Sequence, residues 1–267
     1  MLIPLQKIEE LRYALSPGRF VKELLGFNPD PWQTSFLESN SPQILLNCSR
    51  QSGKSTSTAA KALHTGLFFE NSLTLLISPS LRQSAELFRK VTTFLKHLDD
   101  PPRLIEDNKL SLTFEHGSRI VSLPSSEDTI RGYSAVDLLI LDEASRVDDD
   151  LYRSIRPMLA ISQGQLIAMS TPFGKRGFFF SEWTEGENWE RIMATAHDCP
   201  RITKEFLRNE QKSIGDWWYR QEYMCEFVET TDSVFSYDMI MQSLSSDVQP
   251  LMVGEELNDD VKLFSID

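Results

Sequence analysis

The stretch LLNCSRQSGKST, residues 45–56, passes from an apolar run into a polar loop and closes on Gly-Lys-Ser-Thr. It matches the phosphate-gripping pattern G-x-x-x-x-G-K-[ST] except at the first position, where Cys48 stands in place of glycine. In such a loop the backbone N–H groups that lead into a helix point at phosphate oxygens. The lysine reaches the β- and γ-phosphates, and the Ser/Thr hydroxyl ligates Mg2+. A lone Gly-Lys-Ser reads equally as a surface turn. The surroundings carry the weight: QILLNC before the loop is short and apolar enough for a buried strand, and KSTSTAAKALHTGLFF after it is long enough for a helix.

Working outward, the same alternation continues. LTLLIS, DLLILDE and QLIAMS read as strands, with an amphipathic helix over SLRQSAELFRKVTTFLKHL and another helix over DDDLYRSIRPML. LSLTFEHGSRIVSLP reads as a hairpin turning at Gly117-Ser118, and WERIMATA as an edge strand. The first forty residues predict short helices over LQKIEELRYAL, PGRFVKELLG and DPWQTSFLES, each opening near a proline. TKEFLRNEQKSIGDWWYRQEYMCEF reads as two short helices broken at Gly215. Strands buried on both faces and alternating with helices imply an α/β fold: a mostly parallel sheet flanked by helices, with a small helical C-terminal subdomain.

A phosphate loop requires an acidic partner at the end of another buried strand, to hold the magnesium. LLILDEA supplies Asp142 and Glu143 after four apolar residues. Asp142 is placed to act on Mg2+ through its water shell, and Glu143 to orient and polarise the attacking water. Acidic residues also settle at helix starts after core strands, but two motifs in the correct order leave that reading little room. On the next strand, IAMSTP brings Ser170 and Thr171 to the same edge, where their hydroxyls can sense the γ-phosphate.

Composition narrows the classes. With 267 residues, 40% of them hydrophobic, the chain can bury a sizeable core. No apolar run approaches the ~20 residues that span a bilayer, and the N-terminus carries early charges, so an intracellular protein without membrane contact is expected. Three cysteines and four histidines lack metal-binding or disulfide spacing. A net charge of −12 argues against coating nucleic acid by bulk attraction, so any DNA contact has to be local or shared among subunits. Arg82, Arg89, Lys90, Lys175 and Arg176 offer local cations, yet read as ordinary solvated charges.

Together SRQSGKST, LLILDEA and MSTP, with PDPWQ about fifteen residues before the first, resemble the ATPase domain of the large terminase subunit of tailed phages and prophages. The resemblance spans most of residues 20–230. It implies a RecA-like, additional-strand P-loop NTPase sheet and an ATP- and Mg2+-dependent motor that moves double-stranded DNA into a procapsid. The implied partners are the small terminase subunit, the portal protein and further copies of the chain in a ring, in the cytoplasm of a bacterial host. The family often lacks the first glycine and carries an arginine inside the loop, here Arg50. The implied site comprises Ser49, Arg50, Gln51, Ser52, Gly53, Lys54, Ser55 and Thr56 of the loop, with Ser55 and Asp142 for the metal. Glu143 is the implied catalytic carboxylate, Gln33 the adenine reader, Ser170-Thr171-Pro172 the coupling motif, and Arg131 a finger lent to the neighbouring subunit's ATP, with a surface pairing of Arg131 to Glu127 or Asp128 as the alternative.

Two rivals remain. DEAS and STP echo superfamily 2 helicases, which need a second RecA-like domain. A scaffold that binds ATP without hydrolysing it has no use for a water-activating carboxylate such as Glu143. For domain organisation the expectation is an ATPase domain over residues 1–230 and a linker over 231–260. VKLFSID, residues 261–267, ends at Asp267 like the first strand of an RNase H-like nuclease that is otherwise missing, so no nuclease activity is expected; a last ATPase-domain strand ending in an exposed acid is the alternative. One aspartate cannot build a two-metal site.

Overall fold

Successive residues of β1 (Gln43–Cys48) face opposite ways, and both faces are covered. Ile44, Leu46 and Cys48 join one buried cluster, whereas Leu45 joins a second on the other side of the sheet. The same division runs through the neighbouring strands: Leu76, Ile140, Ile167 and Met169 go to the first cluster, and Leu75, Ile77, Leu139, Leu141, Leu166 and Ala168 to the second. Each fully buried aliphatic side chain contributes about 1.5–3 kcal/mol, which is why these runs are apolar throughout rather than alternating.

The computed structural model describes residues 5–126, 130, 132–229, 239 and 243. Three short helices precede β1: α1 (Leu5–Leu15), α2 (Pro17–Glu23) and α3 (Pro31–Glu38). Then follow α4 (Lys54–Phe68), β2 (Leu73–Ser78), α5 (Leu81–His97), β3 (Leu104–Asp107), β4 (Ser111–Phe114), β5 (Arg119–Pro124) and β6 (Leu138–Asp142). The remainder comprises α6 (Asp149–Ile155), β7 (Gln165–Ser170), α7 (Gly177–Thr184), β8 (Glu190–Ala194), α8 (Lys204–Ile214) and α9 (Asp216–Glu222).

The eight strands form one sheet in the order β3-β4-β5-β2-β6-β7-β1-β8. Strands β5, β2, β6, β7, β1 and β8 are parallel, and β4 is antiparallel to both β3 and β5. Helices α2 to α5 cover one face through Phe20, Phe36, Leu63 and Phe88. The other face is covered by Leu151, Tyr152 and Ile155 of α6 and by Phe178 and Phe179 of α7. The chain leaves β1, passes through α4 and enters β2 beyond its immediate neighbours, so β7 and β6 fill the gap. The C-terminal ends of β1, β7 and β6 therefore lie side by side, the arrangement in which open α/β sheets hold their ligands.

The strands expected between residues 43 and 194, the hairpin and the paired C-terminal helices are present. Two elements had no sequence expectation, the edge strand β3 and the helix α7. The helix expected over DDDLYRSIRPML stops at Ile155 and tightens into a 3-10 turn over Arg156–Leu159, because Pro157 has no N–H to continue it. Chain contacts divide Met1–Val228 from Glu229–Asp267. The expected linker over 231–260, apart from Met239 and Ser243, and the expected strand over 261–267 lie outside the described residues, as does Arg131.

Candidate nucleotide site

The loop between β1 and α4 is held open by its neighbours. The Ser49 N–H donates to the Ala194 carbonyl at 2.8 Å, the Arg50 N–H to the Glu222 carbonyl at 3.0 Å, and the Ser52 hydroxyl to the Ser49 carbonyl at 2.9 Å. Gln51 and Gly53 take positive φ, 61° and 93°. At Gly53 glycine is required twice over, by that backbone and by space, since a Cβ there would lie 2.7 Å from Gln33 Nε2. The turn delivers the chain into α4 at Lys54. The first-turn N–H groups of α4, at Lys54 and Ser55, lack intrahelical acceptors and form the anion-binding end of the helix.

Lys54 reaches across the sheet edge from its buried position on α4. Its Nζ lies 3.3 Å from Glu143 Oε1 and donates to Thr171 Oγ1 at 3.3 Å. The phosphate-loop lysine thus meets the acid following β6 and the hydroxyl following β7. Glu143 itself has left-handed backbone, φ 49° and ψ 44°, and its N–H donates to Asp142 Oδ1 at 3.0 Å. Asp142 is buried, and burial followed by the charge of Glu143 pushes its carboxyl up to about 6, against the pull of Lys54. The Ser145 hydroxyl is shared with Ser170 Oγ at 2.6 Å and donates to the Thr171 carbonyl at 2.8 Å, tying the turn after Glu143 to the Ser-Thr pair.

The other expected residues fall as follows. Ser49 and Ser52 are buried within the loop, and Ser55 and Thr56 are half-buried on the first turn of α4. Gln33 is wholly buried, with its Oε1 accepting the Asp30 N–H at 2.8 Å and its Nε2 donating to the Ser52 carbonyl at 3.3 Å. It braces the loop through its Nε2, while its Oε1 caps the start of α3. The Arg50 side chain pairs with Glu222 of α9. Three contributors had no signal in the sequence: Arg201, Glu222 and Ser145. Arg201 Nη1 and Nη2 donate to the two oxygens of Asp30 at 3.0 and 2.6 Å, and Nη2 also to the Ser52 carbonyl at 3.3 Å. These contacts join segments far apart in the chain, which no local spacing records.

A hydroxyl on a helix N-terminus and a buried aspartate beside a half-buried glutamate, with one lysine as countercharge, form an oxygen donor set that suits a hard divalent cation. The parallel sheet, its strand order and the loop, acid and hydroxyls at one edge define a P-loop domain of the RecA-like class. A family model described as "Terminase large subunit, T4likevirus-type, N-terminal" matches residues 45–242, and the chain belongs to the terminase large-subunit family.

The terminase large subunit of Thermus phage G20c is 26% identical over 265 residues, which cover 85% of this chain and 54% of that protein. The chain thus spans about half the length of that relative. The large terminase ATPase domain of Thermus phage P74-26 superposes with a TM-score of 0.71 at 23% identity, over 80% of this chain and all of that one. A large terminase from another thermophilic bacteriophage, in complex with ATP-gamma-S, superposes with a TM-score of 0.61 at 15% identity, over 74% of this chain and 53% of that one. The superfamily 2 helicase reading is set aside by the family match. Among the described residues, β8 is followed only by a short 3-10 turn, α8 and α9, and no second alternating α/β pattern. None of the described helices is long and apolar enough to cross a membrane.

Proposed function

We propose that this domain binds and hydrolyses ATP and is the motor part of a terminase large subunit that drives double-stranded DNA into a procapsid. The observation that carries the reading is that Lys54 Nζ lies 3.3 Å from both Glu143 Oε1 and Thr171 Oγ1 at the edge where β1, β7 and β6 end. Ser55 and Asp142 would hold Mg2+, and the ion would supply charge neutralisation across the β- and γ-phosphates. Lys54 takes the phosphate oxygens in place of Glu143, and the carboxylate so released orients and polarises a water. Thr171, which shares Lys54 with Glu143, and Ser145, which binds the Ser170-Thr171 turn, then register whether the γ-phosphate is present. The backbone amides and Arg50 carry the remaining phosphate charge.

Family membership supports assembly into a ring on DNA with a small subunit and a portal protein, in a phage-infected cytoplasm. In that ring Arg131 would serve a neighbour's nucleotide. Phosphate release together with nucleotide binding tests the core of the proposal. Lys54→Ala should lose nucleotide binding, whereas Glu143→Gln should keep it and lose on the order of 100-fold or more in turnover. If Glu143→Gln hydrolyses ATP at the unmodified rate, Glu143 is not the catalytic carboxylate and the non-hydrolysing scaffold becomes the better reading.

A further inference from the structure

Arg201 belongs to none of the sequence motifs, yet it touches the phosphate loop. It lies two residues before Thr203, the N-cap of α8, and reaches back to the start of α3. Both oxygens of the buried Asp30 carboxylate receive its terminal nitrogens. Its Nη2 also lies 3.8 Å from where a Cβ on Gly53 would stand, so the group borders the one glycine of the loop. In spite of these bonds the side chain remains 52% exposed.

The form of that exposure matters. A guanidinium gripped by two roughly parallel N–H···O bonds to one carboxylate has its plane fixed by that carboxylate. With about half of the side chain exposed, a guanidinium held in this way can offer a flat face, and such a face stacks well on aromatic rings. Gln33, the residue expected to read the base, presents no comparable surface. It is wholly buried, and its amide is engaged by Asp30 on one side and Ser52 on the other.

Resting on the reading of this loop as an ATP site, we propose that Arg201 is a specificity-determining residue on whose guanidinium face the base of the bound nucleotide stacks. Asp30 sets the plane of that platform, and Gln33 braces the loop behind it. Arg201 thereby distinguishes a nucleoside triphosphate from a bare polyphosphate, a distinction that the loop amides and Lys54 cannot make because they contact phosphate alone.

The competing role is a brace that only steadies the Ser52 carbonyl, and the two roles separate on a ligand without a base. Titration calorimetry would compare Mg-ATP with magnesium tripolyphosphate on the unmodified chain, Arg201→Ala and Arg201→Lys, with thermal unfolding as the check on folding. Both variants should bind ATP about tenfold more weakly and tripolyphosphate within about twofold of the unmodified chain. Arg201→Lys keeps a cation for Asp30 while removing the plane, and carries the test if Arg201→Ala does not fold. Equal losses for the two ligands, or an unchanged ATP affinity, would overturn the platform. An unmodified chain that binds neither ligand would remove the nucleotide site itself, and the platform with it.

Discussion

Cys48 stands where a phosphate loop ordinarily begins with glycine, and its place in the fold explains why the loop tolerates it. It is the last residue of β1 and wholly buried, with its side chain in the cluster that α2 to α5 cover. The left-handed backbone that glycine would serve comes later, at Gln51 and Gly53. Burial pushes the Cys48 thiol up to about 12, so it stays protonated and acts as a small apolar filler. Introducing the glycine of the general phosphate-loop pattern should therefore harm rather than help: Cys48→Gly is expected to lose about 1–3 kcal/mol of stability through the lost packing and the freer unfolded chain, with turnover per folded molecule little changed. Arg50→Ala should do the reverse, costing under about 1 kcal/mol of stability because its side chain is 62% exposed, while lowering turnover clearly. Thermal unfolding and phosphate release on the two variants give the comparison, and the opposite order would mean that the loop does need a glycine at 48. Gly53, Lys54, Asp142 and Glu143 were legible in the sequence because each sits in a contiguous pattern whose chemistry fixes its neighbours. Arg201 and Glu222 were not, since an isolated arginine or glutamate on a polar segment looks the same whether or not it folds back on a loop.

At the scale of elements, legibility followed burial. Strands β1, β2, β6 and β7, covered on both faces, announce themselves as apolar runs. By contrast β3 lies at the sheet edge with three of its four residues exposed, and α7 opens at Gly177 and packs three successive phenylalanines without helical spacing. A buried lysine on α4 was equally unannounced. Lys61 Nζ donates to the carbonyls of Phe36, Leu37 and Ser39 at 3.4, 3.1 and 2.8 Å, satisfying the carbonyl end of the short helix α3 and so fixing the segment that presents Gln33. Burial lowers its amine to about 8, against the opposing pull of Glu38 and Glu190. With the folded value below the unfolded value near 10.5, the unfolded chain binds more protons between the two, so this residue's share of stability rises with pH across that window and is flat below it. Relative to Lys61→Met, the unmodified chain should gain on the order of 2 kcal/mol as pH climbs from about 8 to 10.5. Denaturant unfolding at a series of pH values measures that difference, and a flat difference would mean that the amine is solvated.

At the scale of the whole molecule, the candidate nucleotide edge is assembled from segments on either side of the sheet in sequence. Before the sheet comes α3, with Asp30 at its N-cap and Gln33 in its first turn; after it come Arg201, just ahead of α8, and Glu222 at the end of α9. The helical pair is therefore fastened to the loop at both of its margins, through Arg201 on Ser52 and through Glu222, whose carbonyl holds the Arg50 N–H and whose carboxylate holds the Arg50 side chain. Asn47, just before the loop, adds a bond from its Nδ2 to the Cys225 carbonyl at 2.9 Å. Arg50 has one guanidinium and two anionic claimants, the Glu222 carboxylate and the phosphates that the loop would hold. Binding a triphosphate must then either leave Arg50 on Glu222 or release α9 from its side-chain tie, and the charge density of a triphosphate favours release. Glu222→Ala removes the competitor and should lower the KM for ATP, whereas Arg50→Ala should raise it. Hydrogen exchange over residues 204–222 should also quicken in the Glu222→Ala chain without nucleotide, and in the unmodified chain once ATP is bound. Steady-state kinetics with exchange measured on the same preparations tests both halves. If Glu222→Ala raises KM as Arg50→Ala does, the two residues work only as a pair, and α9 is a fixed support for the loop rather than an element that the nucleotide releases.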